Sequence, residues 1–98
     1  MTLIPTIVQD ARSDRVLMLG WSNDESRALT AETGRVHFWS RSKERIWMKG
    51  ETSGNVLDVV DVSTDCDDDT ILIRAVPAGP TCHTGSDSCF DIEESPPG

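Results

Sequence analysis

The sequence predicts an α+β fold dominated by strands, with small mixed or antiparallel sheets and one main helix. Three observations predict it. Six short segments rich in β-branched and aromatic residues are separated by polar or glycine-bearing turns, and a single segment carries helix-start and helix-stop signals together. The third is size: 98 residues with 37% hydrophobic content make one modest core. A chain this short buries only about 60–65% of its unfolded surface, so metal or a partner subunit is expected to add stability.

Residues 4–9 and 16–19 read as strands around the polar turn 10–15. Ser22-Asn23-Asp24-Glu25 matches a capping box, in which the Ser22 hydroxyl accepts a backbone N–H and Glu25 reaches back. The helix it starts runs to about Thr33, where Gly34 tolerates the left-handed backbone that ends a helix. Residues 36–40, 45–48, 56–64 and 70–76 follow as strands. In the fifth strand, alternation sets Val60 and Val62 on the face of Val56, with Leu57 and Val59 on the other. A strand apolar on both faces points to cover on both, here by a second subunit. Residues 1–90 make one domain, and the acidic, proline-rich stretch 91–98 is expected to fray as a tail.

The formal charge is −8, unevenly spread. Residues 35–49 hold Arg35, Arg41, Lys43, Arg45 and Lys49 against Glu44 alone, a local charge of +4. Residues 51–98 hold eleven acids against Arg74. The acidic whole argues against nucleic-acid partners, whereas the basic island suits a small phosphorylated ligand. No run approaches the roughly 20 apolar residues of a membrane-spanning helix, and the first residues lack a signal-like pattern. A cytoplasmic location is the expectation, where three cysteines serve as thiols or metal ligands rather than disulfides.

Three constellations carry chemistry. In Asp65-Cys66-Asp67-Asp68-Asp69, an extended backbone would place Asp65, Asp67 and Asp69 on one face and Cys66 on the other. Carboxylates suit Mg²⁺ and a thiolate suits zinc. The bland alternative is a solvated acidic hairpin turn. In Gly79-Pro80-Thr81-Cys82-His83-Thr84-Gly85-Ser86-Asp87-Ser88-Cys89, Gly85 gives the slack to turn both sulfurs onto one ion, and Cys66 makes a third. Three protein ligands plus water is the usual way to hold a catalytic zinc. Ionising an ordinary thiol at pH 7 costs about 2 kcal/mol, which metal binding of roughly 10–16 kcal/mol offsets. His83 adjoins this set as a fourth ligand or an acid–base group, and His37, beside Trp39 on its strand, is the second candidate. Finally, Trp47-Met48-Lys49-Gly50-Glu51-Thr52-Ser53-Gly54 combines glycines, hydroxyls and a lysine able to wrap a phosphate, without the Walker A order.

Together, His37-Phe38-Trp39-Ser40-Arg41-Ser42, residues 47–54, 65–69 and 79–90 resemble the phosphoribosyl-AMP cyclohydrolases in order and spacing, and the likeness spans roughly residues 3–90. The resemblance implies a zinc- and magnesium-dependent hydrolase that opens the N1–C6 bond of the adenine ring of 1-(5-phosphoribosyl)-AMP, the third step of histidine biosynthesis. It implies zinc on Cys66, Cys82 and Cys89, and magnesium on Asp65, Asp67 and Asp69. With that reaction in view, His83 and His37 are the candidates for catalysis, and Arg41, Lys43, Lys49, Thr52 and Ser53 the candidates for contact with substrate. Family members are intertwined homodimers in which Cys66 of one subunit completes the zinc site of the other. Two departures concern edge packing: the chain starts almost at its first strand, and Gly20-Trp21-Ser22-Asn23 replaces the more usual Ala-Tyr-Met-Asn. No fused pyrophosphohydrolase domain is expected to follow. A zinc nucleobase deaminase would need His-x-Glu and Pro-Cys-x-x-Cys, which the sequence lacks. A zinc-stabilised interaction module would need four protein ligands and would leave the aspartates unexplained.

Overall fold

The computed structural model describes residues 2–90. Strands β1 (Ile4–Asp10) and β2 (Val16–Ser22) precede helix α1 (Asp24–Thr33), the hairpin β3 (His37–Ser40) and β4 (Arg45–Met48), then β5 (Leu57–Thr64) and β6 (Ile71–Pro77). The four long strands form a mixed sheet ordered β2-β1-β6-β5, while β3 and β4 form a separate two-stranded sheet. Within the large sheet β1 runs parallel to β6, and the outer pairs β1–β2 and β5–β6 are antiparallel. The predicted fold class is the observed one. The stretch read as a tail, 91–98, lies outside the described residues.

Residues paired across a ladder share a face, so register shows how the core is built. Thr6, Val8 and Asp10 stand opposite Ile71, Ile73 and Ala75, and Val8 also faces Met18. These seven side chains are buried, and the β3–β4 hairpin adds Phe38, fully enclosed and 5.4 Å from the Trp47 ring. Burying a side chain of this kind contributes about 1.5–3 kcal/mol. The hairpin is tied to the sheet by Val36 N–H donating to the Leu57 carbonyl and Val59 N–H donating to the Gly34 carbonyl. At the β1–β2 turn, Asp10 accepts from the Arg12 backbone and guanidinium, which holds its carboxyl below the usual range.

Two local expectations are corrected. The helix is capped one residue later than the Ser22–Glu25 pattern indicates. Asn23 is the N-cap and accepts from Ser26 N–H, while the Ser26 hydroxyl accepts from Asn23 N–H. Ser22 is unavailable because its hydroxyl lies 2.6 Å from that of Thr6 inside the sheet. The expected stop at Gly34 is present, with φ +72° and its N–H on the Thr30 carbonyl.

The second correction concerns β5. Its register slips between Val59 and Asp61, leaving Val60 as a bulge. Beyond the bulge Val62 pairs with Ile73, so it shares the face of Leu57 and Val59 instead of that of Val60. Strict alternation fails there because one extra residue resets the period of two. Val60 and Val62 are both exposed, at 56% and 52%. Ile7 and Leu72, half-buried, and exposed Leu19 give the sheet an apolar second face.

Gly20 bears on the departure at 20–23. A Cβ there would stand 2.6 Å from two Phe38 ring carbons, so Phe38 occupies the space a side chain would fill. Gly20→Ala is expected to destabilise by about 1–3 kcal/mol, the usual cost of overpacking. In a Phe38→Leu background the same change should cost less, as measured by urea unfolding of the two pairs.

A candidate metal and phosphate site

Four segments contribute, beginning with the chain after β6. It returns to the free edge of β2, where the Ser88 hydroxyl donates to the Val16 carbonyl (2.7 Å) and Cys89 N–H donates to the Leu17 carbonyl (2.7 Å). Between these anchors and Pro80 a tight loop forms: Cys82 N–H donates to the Ser86 carbonyl, and Gly85 N–H to the Cys82 carbonyl. The loop sets Cys82 and Cys89 near enough for each sulfur to influence the ionisation of the other. The Thr84 hydroxyl, 3.1 Å from the Cys82 sulfur, donates to it and holds that thiol below its usual pKa. Cys89 is pushed up, first by desolvation and then by the Cys82 sulfur. The Lys49 ammonium lies near enough to favour the thiolate of both.

Lys49 also belongs to the second segment. A cavity of 390 Å³ is lined by Ser40, Lys43, Arg45, Trp47, Lys49 and the loop from Gly50 to Ser53. Of the proposed substrate contacts, Lys43, Lys49, Thr52 and Ser53 meet here. Arg41 does not: its guanidinium lies over the Trp21 ring, 4.5 Å from the centroid, in an adjoining hollow with Trp39 and Trp47. That stacking partner comes from β2, far away in sequence, so no local pattern announces it.

Glu51 was not among the predicted site residues. Its carboxylate accepts from Arg45 (2.8 Å) and from Met48 N–H (3.3 Å), and these contacts hold it below the usual range. The available signal was its place inside the Lys-Gly-Glu-Thr-Ser run.

The histidines occupy different settings. His37 is half-buried, and its Nδ1 lies 2.8 Å from the Arg35 carbonyl oxygen. A carbonyl only accepts, so Nδ1 carries the hydrogen and Nε2 presents the lone pair in the neutral ring. His83 is exposed in the turn after Cys82.

The fourth segment is the turn joining β5 to β6. Of the two readings of this stretch, extended strand or hairpin turn, the turn is the observed one: Asp68 N–H donates to the Asp65 carbonyl and Asp65 N–H to the Thr70 carbonyl, with Asp68 at φ +56°. Two adjacent strands need such a closure, and short polar residues tolerate it. The turn gathers what alternation was expected to gather. Carboxylate oxygens of Asp65, Asp67 and Asp69 all lie within 4.8 Å of one another, exposed. Asp68 is turned aside to accept from the Thr64 hydroxyl. Asp69 is raised by its contact with the Asp65 carboxylate, the response of crowded like charges, while Asp65 is lowered. Cys66 is exposed on the same turn, its sulfur 3.9 Å from an Asp67 oxygen.

Donor chemistry fits two kinds of ion. Three hard oxygens converging at a turn fit a divalent cation such as Mg²⁺. Two adjacent thiols, one already favoured as thiolate, fit half of a soft-metal site. Among the described residues Cys66 joins no group of three ligands with Cys82 and Cys89 in one chain.

Comparison with known proteins agrees with the geometry. Residues 18–91 match the family model for phosphoribosyl-AMP cyclohydrolase. Over 89 residues the chain is 60% identical to the histidine biosynthesis bifunctional protein HisIE of Vibrio parahaemolyticus, covering 91% of this chain and 42% of that one. The bifunctional protein HisIE of Xanthomonas campestris pv. campestris is 61% identical over 93 residues, covering 95% and 45%. That of Campylobacter jejuni is 57% identical over 89 residues, covering 91% and 43%. The chain thus spans less than half the length of these curated relatives.

Proposed function

The chain belongs to the phosphoribosyl-AMP cyclohydrolase family, and we propose that it opens the adenine ring of 1-(5-phosphoribosyl)-AMP in histidine biosynthesis. Water adds to C6 and the N1–C6 bond breaks, giving the ring-opened formimino-carboxamide ribotide with one water consumed. The observation that carries this reading is the thiol pair Cys82–Cys89 sharing Lys49 with a basic cavity. A metal-activated nucleophile and a phosphate-binding surface then adjoin, as hydrolysis of a phosphorylated nucleotide requires. Incubating the protein with phosphoribosyl-AMP and following ring opening by ultraviolet absorbance, with and without chelator, tests it; turnover untouched by chelation would refute the metal-dependent reading.

Cys82 and Cys89, with Cys66 of the partner subunit, would hold zinc, and Asp65, Asp67 and Asp69 would hold magnesium. Bound zinc supplies Lewis acidity that brings water to a reactive state near neutral pH. The chain's own residues do the rest. Lys43 and Lys49 neutralise the phosphates, and the hydroxyls of Thr52 and Ser53 donate to them. Arg41 reaches a phosphate only by leaving Trp21. His37 presents Nε2 as a proton acceptor, and His83 is placed either to ligate zinc or to pass a proton beside it.

A homodimer is part of the proposal. Val59, Val62, Ile71 and Ile73 of the sheet and Ala28 and Ala31 of α1 line an open groove of 610 Å³. A second copy seated on this face would cover Val62 and bring its own Cys66 toward the thiol pair. Such a biosynthetic enzyme, with free thiols, works in the cytoplasm.

Cys82→Ala should lower zinc content and turnover together, and Cys66→Ala should do the same. Unfolding and refolding an equal mixture of the two variants should recover about a quarter of wild-type activity, because half the dimers are mixed and each holds one intact site. No recovery would sink the shared site. Asp67→Asn is expected to weaken Mg²⁺ dependence about tenfold or more with zinc retained; a Mg²⁺ titration and metal analysis read the two separately.

A further inference from the structure

We propose that Asn55 is a positioning residue that pins the cysteine loop to the loop lining the basic cavity; this rests on the reading above that the two loops form one active site. The Asn55 side-chain amide donates to the Pro80 carbonyl at 3.2 Å, two residues before Cys82. Twenty-five positions separate the two residues, so the contact joins segments that the chain itself does not.

Two glycines make room for it. A Cβ on Gly79 would stand 2.5 Å from Asn55 Oδ1 and 2.9 Å from its Cγ. On the other side, a Cβ on Gly50 would stand 2.5 Å from the Asn55 carbonyl carbon and oxygen. Gly50 lines the cavity, at φ +87°, and Gly79 opens the cysteine loop. Asn55 is therefore wedged between the two at a place where neither can carry a side chain. Its backbone is set by Ser53, whose hydroxyl accepts from Asn55 N–H at 3.2 Å, and by Ala78 N–H donating to the Val56 carbonyl at 2.9 Å. Ser53 itself belongs to the cavity lining.

The chemistry requires an amide. Pro80 offers only an acceptor, so the group facing it must donate, which the Asn55 NH₂ does and a carboxylate cannot. Pro80 is joined to Cys82 through Thr81 alone, so a displacement of Pro80 acts on Cys82 across a single residue. Asn55 thus acts through the backbone on where the Cys82 sulfur stands relative to Lys49 and the cavity.

The test compares Asn55→Ala, Asn55→Asp, Gly79→Ala and the Asn55→Ala/Gly79→Ala double variant. Zinc retention is read by competition with a chromophoric chelator, beside kcat and KM for phosphoribosyl-AMP and Tm. Asn55→Ala is expected to weaken zinc retention about 3–10-fold, less than the roughly 10–100-fold typical of groups bonded directly to a ligand. KM should rise with it, and Asn55→Asp should be no better than Asn55→Ala. Gly79→Ala should weaken retention further by driving Asn55 off. The double variant should be no worse than Gly79→Ala alone, since the displaced side chain is already gone. Multiplying effects in the double variant would overturn the pin, as would a fall in Tm with zinc retention and KM unmoved.

A readout free of both metal and substrate separates this inference from the functional reading. In metal-stripped protein, iodoacetamide modification of Cys82 relative to Cys66 is followed by peptide mass. Asn55→Ala should change that ratio several-fold, and an unchanged ratio overturns the pin. A changed ratio in a protein that never opens phosphoribosyl-AMP overturns the functional reading alone.

Discussion

Residues 6–10 and 71–75 lie side by side in parallel at the centre of the sheet, and everything else is arranged by that pairing. Parallel strands cannot be joined by a tight turn, so the chain between them must leave the sheet and return. The excursion builds β2 and α1 on one side, the β3–β4 hairpin over the core, and β5 on the far edge. Because β6 ends beside the start of β2, the chain that follows reaches β2's unpaired edge and is held there by Ser88 and Cys89. A sheet edge that would otherwise expose bare carbonyls becomes the platform for the thiol pair. Loss of the central ladder would cut both connections at once.

That arrangement also divides the chemistry. The soft donors Cys82 and Cys89 stand at the β2 edge, while Cys66 and the carboxylates sit at the tip of the β5–β6 hairpin, on the opposite edge strand. Spread over two edges, the donors give three converging carboxylates at one and a pair of thiols at the other. The apolar groove beside α1 and the exposed valines of β5 lie on the way between them.

Much of this was legible because the signals are local. β-branched runs mark all six strands, Gly34 marks the helix end, and the Gly-Thr-Ser-Lys composition of 47–54 marks the cavity loop. What escaped depends on contacts between distant residues. The capping box is displaced because Thr6 claims the Ser22 hydroxyl, and Arg41 is drawn from the basic cavity by an indole on another strand. The aspartates converge by a left-handed turn at Asp68, not by the pleat, although both routes gather the same three side chains. Glu51 and Asn55 were hidden for a different reason: Glu51 sits within, and Asn55 directly after, a motif whose lysine and hydroxyls carry the more obvious chemistry.

The bulge at Val60 gives β5 a parity. Up to Val59 the strand presents its odd-numbered residues to the core, and from Val62 onward its even-numbered ones, because one residue has been spent without a partner. Removing that residue would restore a regular ladder and leave every pair in place: Val59 would still face Ala75 and Val62 would still face Ile73. What would go is the bend and extra twist that a bulge gives its strand, and with them the direction in which the outer arm carries the turn of carboxylates. The one unpaired residue therefore steers the arm without deciding which side chains lie on each face: its loss would straighten the hairpin, whereas exchanging it for another apolar residue would leave the bend in place.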